Sequence, residues 1–130
     1  MFQSILEIDR ENAMAHENIA SVHLRQDDLP AARRAFETAA RLNPRSSAAF
    51  TGLGVVALRA GNPSGAIAHW RRAVDLDAAN FDALYNLATE LINARQYDAA
   101  RPYADRFVRT APPAFYGPEI QRLTAFVNAR

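Results

Sequence analysis

The chain has 130 residues, with 15 basic and 14 acidic side chains, a formal charge of +1, three histidines and no cysteine. Neither sign of charge forms a long run, so there is no electrostatic footprint for nucleic acid or an anionic membrane; the missing cysteine excludes disulfides, thiolate chemistry and Cys-ligated metals. No apolar run approaches the ~20 residues a membrane span needs, and the opening Met1-Phe2-Gln3-Ser4-Ile5-Leu6-Glu7 lacks the basic region and long apolar core of a signal peptide.

All the basic residues are Arg, and Ala is abundant. That reads as the coding bias of a GC-rich bacterial genome, in cytoplasm or periplasm alike.

The sequence superimposes on itself at a shift of 34 residues. Ile19, Leu53 and Leu87 coincide, as do Ala20, Gly54 and Ala88, Leu24, Leu58 and Ile92, and Ala32, Ala66 and Ala100. A period of this length marks units too small to bury a core alone, which stack on their neighbours. Copies run over residues 13–46, 47–80 and 81–114.

In chain order, residues 2–9 read in register as the end of a second helix, because Ile5, Leu6 and Ile8 fall where Ala39, Ala40 and Leu42 fall in the first copy. Residues 1–12 are therefore expected to be the remnant of a preceding repeat. The first copy then carries His16, Ile19, Ala20 and His23 at i, i+3, i+4 and i+7, one stripe of an amphipathic helix. Its break is Gln26-Asp27-Asp28-Leu29-Pro30, with Asp as cap and Pro in the first turn. A second helix follows, with Ala32, Ala35, Phe36, Ala39 and Leu42 inward, ending near Asn43-Pro44. The second copy repeats this with Phe50, Leu53, Gly54 and Ala57, a break at Ala60-Gly61-Asn62-Pro63, then Ala66, Trp70, Ala73, Val74 and Leu76. The third has Leu84, Leu87, Ala88 and Leu91, a break at Gln96-Tyr97-Asp98, then Ala100, Tyr103, Phe107 and Val108. Pro102 should distort the start of that helix. After the Pro-rich turn of residues 112–118, a last helix is expected over about 119–128, with Ile120, Leu123, Phe126 and Val127 covering the end of the stack. The breaks predict seven helices beyond residues 2–9. The small residues Ala20, Gly54 and Ala88, facing Ala32, Ala66 and Ala100, mark where paired helices come closest.

These residues resemble the tetratricopeptide repeat, whose pattern runs aromatic, x2, Leu-Gly, x2, Tyr, then Ala, x3, Phe, then Pro. The second copy matches best, with Phe50, Leu53-Gly54, Ala66 and Trp70. The first keeps Ala32, Phe36 and Pro44 but has His16 and His23 in the aromatic slots. The third has Leu84 and Leu91 in those slots, and exchanges sizes later, with Ala104 where the large aromatic belongs and Phe107 where a small residue is usual. That exchange conserves volume and implies repacking against a neighbour outside the repeats. The resemblance covers residues 13–114 and implies an all-α fold, a right-handed α-solenoid of antiparallel helix pairs: three repeats plus a capping helix over 115–130. A repeat stretch closed in this way is also similar to tails attached to larger bacterial enzymes, sulfatase-like ones among them.

Catalytic and metal chemistry finds no constellation. His16-Glu17 begins like a zinc-protease helix, but Ala20 fills the slot of the second His. His16 and His23 lie about 10 Å apart along a helix, while two ligands of one zinc each lie about 2 Å from it. The glycines fit neither phosphate-loop spacing. Ser46-Ser47 and Ser64 sit at helix starts, where capping is expected. No enzyme activity, cofactor or metal is predicted.

The candidate site is the concave face of the first helices, which in tetratricopeptide proteins commonly receives an extended peptide. Asn18 and Asn86 lie two periods apart and project in the same sense; an Asn amide holds a peptide backbone at two points whatever its sequence. Between them run Leu24, Val55, Leu58, Tyr85, Thr89 and Ile92, with Arg25 and Arg59 along the edge, while Gly52 interrupts the ladder. The family's clamp for a terminal carboxylate needs basic residues where this chain has Glu17, Ala48 and Asn86, which disfavours that ligand. The sequence thus predicts a protein-interaction module with a protein or peptide partner, part of a larger bacterial protein, without nucleic-acid or membrane binding. The alternative is a structural tail or spacer that packs on an attached catalytic domain or self-associates weakly through its N-terminal edge.

Overall fold

The computed structural model describes residues 2–129, with side chains from residue 7 onward. Among the described residues the chain forms seven helices and no strand: α1 (Phe2–Arg25), α2 (Leu29–Leu42), α3 (Ser47–Arg59), α4 (Pro63–Leu76), α5 (Phe81–Asn93), α6 (Tyr97–Thr110) and α7 (Pro113–Asn128). Each odd helix pairs with the even helix that follows, and each even helix packs on the next odd one, so the pairs stack in chain order. None of the described helices is long and apolar enough to cross a membrane.

The 34-residue period reappears as backbone geometry. Asp27, Gly61 and Arg95, one per copy, adopt φ of 60°, 83° and 61° where the first helix of each pair ends. The residue after each donates its N–H back into the helix: Asp28 to His23 O, Asn62 to Ala57 O, Gln96 to Leu91 O. This left-handed turn satisfies carbonyls left over at the helix end and turns the chain into its partner helix. Asp28 and Asn62 cap the next helices by accepting from Ala31 N and Gly65 N, each with Pro in the first turn. Ser46 and Asn80 cap α3 and α5. Ser64 does not cap; its hydroxyl bonds to the capping Asn62.

The small residues lie where helices meet. Ala20, Ala32, Ala66, Ala88 and Ala100 are wholly buried. A Cβ built on Gly54 would stand 2.2 Å from Trp70 Nε1 and 2.5 Å from Cδ1, so the indole takes the space a side chain would need. Trp70 also donates to the carbonyl of Thr51 (3.1 Å), which orients the ring. The exchanged sizes of the third copy are accommodated as expected. Ala104 and Phe107 are both fully buried, and Phe107 packs on Phe81, Tyr85 and, from α7, Tyr116 at a centroid distance of 5.6 Å.

The ends differ from the expectations. Residues 2–9, expected as the end of a separate second helix, continue without a break into the first helix of copy one, so seven helices include them rather than follow them. The side chains of Ile5 and Leu6, expected on an inner face, lie outside the described residues. The contrast is visible at the equivalent junction two repeats further on. There Asn80 caps α5 while its amide donates to Ser47 Oγ (2.6 Å) and Thr51 Oγ1 (2.7 Å) of α3. Asn12 holds the same place in the repeat but lies inside α1, and the described residues supply no earlier helix pair to bond it in this way. At the other end α7 begins at Pro113, not near residue 119; the Pro-rich segment is a helical turn with one kink at Tyr116 (φ −124°, ψ 26°). Pro102 leaves α6 continuous from Tyr97 to Thr110.

Candidate functional site

The groove-side residues of α1, α3 and α5 divide into those spent on the fold and those left at the surface. Position five of each copy bridges to the next layer. The hydroxyl of Ser46 donates to the Glu17 carboxylate, Thr51 Oγ1 accepts from Asn80, and Tyr85 OH accepts from Arg122 of α7 at 3.2 Å. One residue on, Asn18 is exposed and Asn86 half-buried, but Gly52 between them is buried. A Cβ on Gly52 would lie 2.2–2.6 Å from the Phe36 ring. The gap in the Asn ladder is therefore a packing requirement: the ring of α2 occupies the space where a second-copy side chain would start.

The apolar members recur towards the ends of the first helices: Leu58 is 38% exposed, and Leu24, Val55 and Ile92 are half-buried. Val55 and Ile92 rest on the core shared by α4 to α7, and Leu24 on that of α1 to α3. Thr89 is turned onto its own helix, donating to the carbonyls of Tyr85 and Asn86. Arg25 and Arg59 are both exposed, and Arg59 reaches from α3 to the Leu24 carbonyl in the last turn of α1 (3.1 Å), a favourable place for a cation at a helix C-terminus.

Sequence reasoning placed a last helix over the end of the stack but missed its polar contacts with α5. Tyr116 OH donates to Asp82 Oδ1 (2.9 Å) and Arg122 donates to Tyr85, so α7 lies beside α5 in the place a fourth repeat would fill. Burial, and next the hydrogen bond to Asp82, raise the Tyr116 pKa above its ordinary value, and the Tyr85 hydroxyl raises that of Arg122. Tyr85 is consequently held in an aromatic cluster by Phe107 and shared with α7, whose Arg122 sets its guanidinium beside the Tyr85 hydroxyl. The signal was weak because α7 lies outside the 34-residue alignment.

A cleft of about 490 Å³ opens on the opposite side of α3, lined by Leu29, Pro30, Arg33, Glu37, Leu53 and His69 among others. Burial lowers the pKa of His69 there, and the nearby Glu37 carboxylate raises it in part. His16 and His23 are half-buried in the packing slots expected of them. Among the described residues no three His, Asp or Glu side chains are grouped to hold a metal ion.

The sequence profile of the tetratricopeptide repeat matches residues 17–83, half of the chain. The protein belongs to the tetratricopeptide-repeat family. The chain superimposes on the TPR2B domain of yeast Sti1 in complex with pHsp70 at a TM-score of 0.80, with 18% identity over 90% of this chain and 96% of that one. The Yersinia enterocolitica type III secretion chaperone SycD, in complex with a peptide of the translocator YopD, matches at a TM-score of 0.78, 16% identity and 88% of either chain. YrrB, a TPR protein with an unusual peptide-binding site, matches at 0.73, with 23% identity over 98% of this chain and 73% of that one. These likenesses establish the right-handed α-solenoid. None of the curated proteins matches the chain significantly.

Proposed function

We propose that this TPR chain is a non-catalytic interaction module, part of a larger bacterial protein, whose groove-side face holds an extended peptide. The observation that carries the reading is the exposed Leu58 among half-buried Leu24, Val55 and Ile92, with Arg25 and Arg59 beside it. Such a row offers apolar contact to alternate side chains of an extended segment, and the cationic edge favours a ligand with acidic residues. Asn18 and Asn86 are suited to hold the ligand backbone, each through an amide with both donors and an acceptor. Peptide complexes of the structurally similar Sti1 domain and SycD support a peptide as ligand class. Glu17 is tied to Ser46, which leaves no cation in the place a terminal-carboxylate clamp needs one.

The double change Asn18→Ala, Asn86→Ala tests the reading. Each neutral hydrogen bond is worth about 0.5–1.5 kcal/mol net, so peptide affinity is expected to fall roughly five- to a hundredfold while helicity and melting stay at parent values. Capture from a bacterial lysate, followed by titration of the captured segment, reads the effect. Equal recovery of the same partners by both proteins removes the groove. A structural role, in packing on an attached domain or on another chain, is favoured by a different observation, the bare apolar stripe of α1.

A further inference from the structure

Ala49, Leu53 and Val56 form one stripe along α3, buried against Phe36 and Ala39 of α2. The same repeat positions in α5, Ala83 and Leu87, are buried in the core that includes Trp70 and Ala73 of α4. In α1 the stripe is Ala15, Ile19 and Val22, prolonged by Ile8. Here it is bare: Ile8 is 55%, Ile19 48% and Val22 44% exposed. Positions 8, 12, 15, 19 and 22, apolar but for Asn12, alternate steps of four and three, the spacing of a seam that another helix covers.

We propose that this stripe is the contact of a two-fold dimer, in which α1 of one copy lies antiparallel against α1 of a second copy. The repeat supplies the first argument, since α3 and α5 both receive a helix on this stripe. The flanking charges supply the second. With the helices antiparallel and Ala15 of each opposite Ile19 of the other, Glu11 of each copy comes opposite Arg25 of the other, giving two ion pairs per dimer. Glu11 and Arg25 lie about four turns, or about 21 Å, apart on one helix and so cannot pair within a copy. A parallel pair would set Glu11 beside Glu11 and Arg25 beside Arg25. The third argument is closure. The far end of the stack is covered by α7, which buries Leu123 and contributes Tyr116 to the aromatic cluster, so a head-to-tail contact of α1 with α6 is obstructed. The stripe of a second copy presents apolar surface of matching shape that is open to it, and a self-complementary contact closes at two subunits. This inference shares Arg25 with the proposed groove edge but rests on the α1 stripe, so the Ile19 and Val22 variant separates the two and either can fail alone.

Sedimentation equilibrium of the whole chain from about 1 to 500 µM tests it. The parent is expected to dimerise in this range. The double change Ile19→Glu, Val22→Glu is expected to be monomeric throughout with parent helicity, since both side chains are exposed in the single copy. If that variant loses helicity, the charge reversals decide. Glu11→Arg and Arg25→Glu should each weaken the dimer about two- to thirtyfold, and their combination should return it to within about threefold of the parent. A parent that stays monomeric, as it would if the stripe served a different protein, overturns the proposal. So does a combined variant no tighter than the single ones.

Discussion

The first and third repeats share a period and differ in what covers them. At one repeat position, Ile19 is 48% exposed while Leu87 is fully buried. The third repeat is enclosed on both sides, by α4 and by α7, and its centre is the cluster of Phe81, Tyr85, Phe107 and Tyr116. Among the described residues, the first packs on the layer that follows it alone. In a solenoid, the stability of a unit is its own small share plus its interfaces, so the same residue in the same slot carries different weight by level. The C-terminal half should be the stable body of the molecule, and α1 the part that opens first.

Three substitutions sharpen this contrast. Phe107→Ala empties the middle of the aromatic cluster and is expected to cost about 3–5 kcal/mol in a denaturant melt. A loss below about 1 kcal/mol would mean that α7 does not bind the third repeat as described. Gly54→Leu drives a side chain into the Trp70 indole and should destabilise the second repeat by about 1–3 kcal/mol. A near-ultraviolet signal from the single tryptophan would follow the displaced ring, and a parent-like spectrum and melt would place Trp70 elsewhere. Ile19→Ala is expected to change the stability of the dilute monomer by no more than about 0.5 kcal/mol, since the side chain already meets water. A loss like that of a buried leucine would show the two ends to be equivalent after all.

Much of the fold was legible because its causes are local. The helix breaks announce themselves through Asp28, Asn62 and the prolines that follow Asp28-Leu29 and Asn62, and the closest helix approaches through Gly54 and the buried alanines. The size exchange between Ala104 and Phe107 even indicated a packing partner beyond the repeats. The groove was legible as a face but not in its details. That Gly52 is filled by Phe36, that Glu17 is tied to Ser46, and that Tyr85 is shared with Arg122 are contacts between residues far apart in sequence, with no periodic trace. Arg122 went unnoticed since α7 does not align with the repeats.

The two junctions with the same outline make the division clear. Asp9-Arg10-Glu11-Asn12 and Asp77-Ala78-Ala79-Asn80 present the same Asp and Asn at the same spacing, and both lack Gly and Pro. The second is a break, because Asn80 bonds back to Ser47 and Thr51 on the layer beneath and Asp77 accepts from Ala79 N. The first is uninterrupted helix within α1, and the described residues supply no layer beneath Asn12 of the kind that α3 forms beneath Asn80. Sequence by itself determined the helical period, the paired topology, the caps and the small-residue contacts, all set by neighbours within a few turns. Where a helix ends without Gly or Pro, which apolar stripe is covered and which groove residues are free were decided by tertiary structure alone, since each depends on what the next layer supplies.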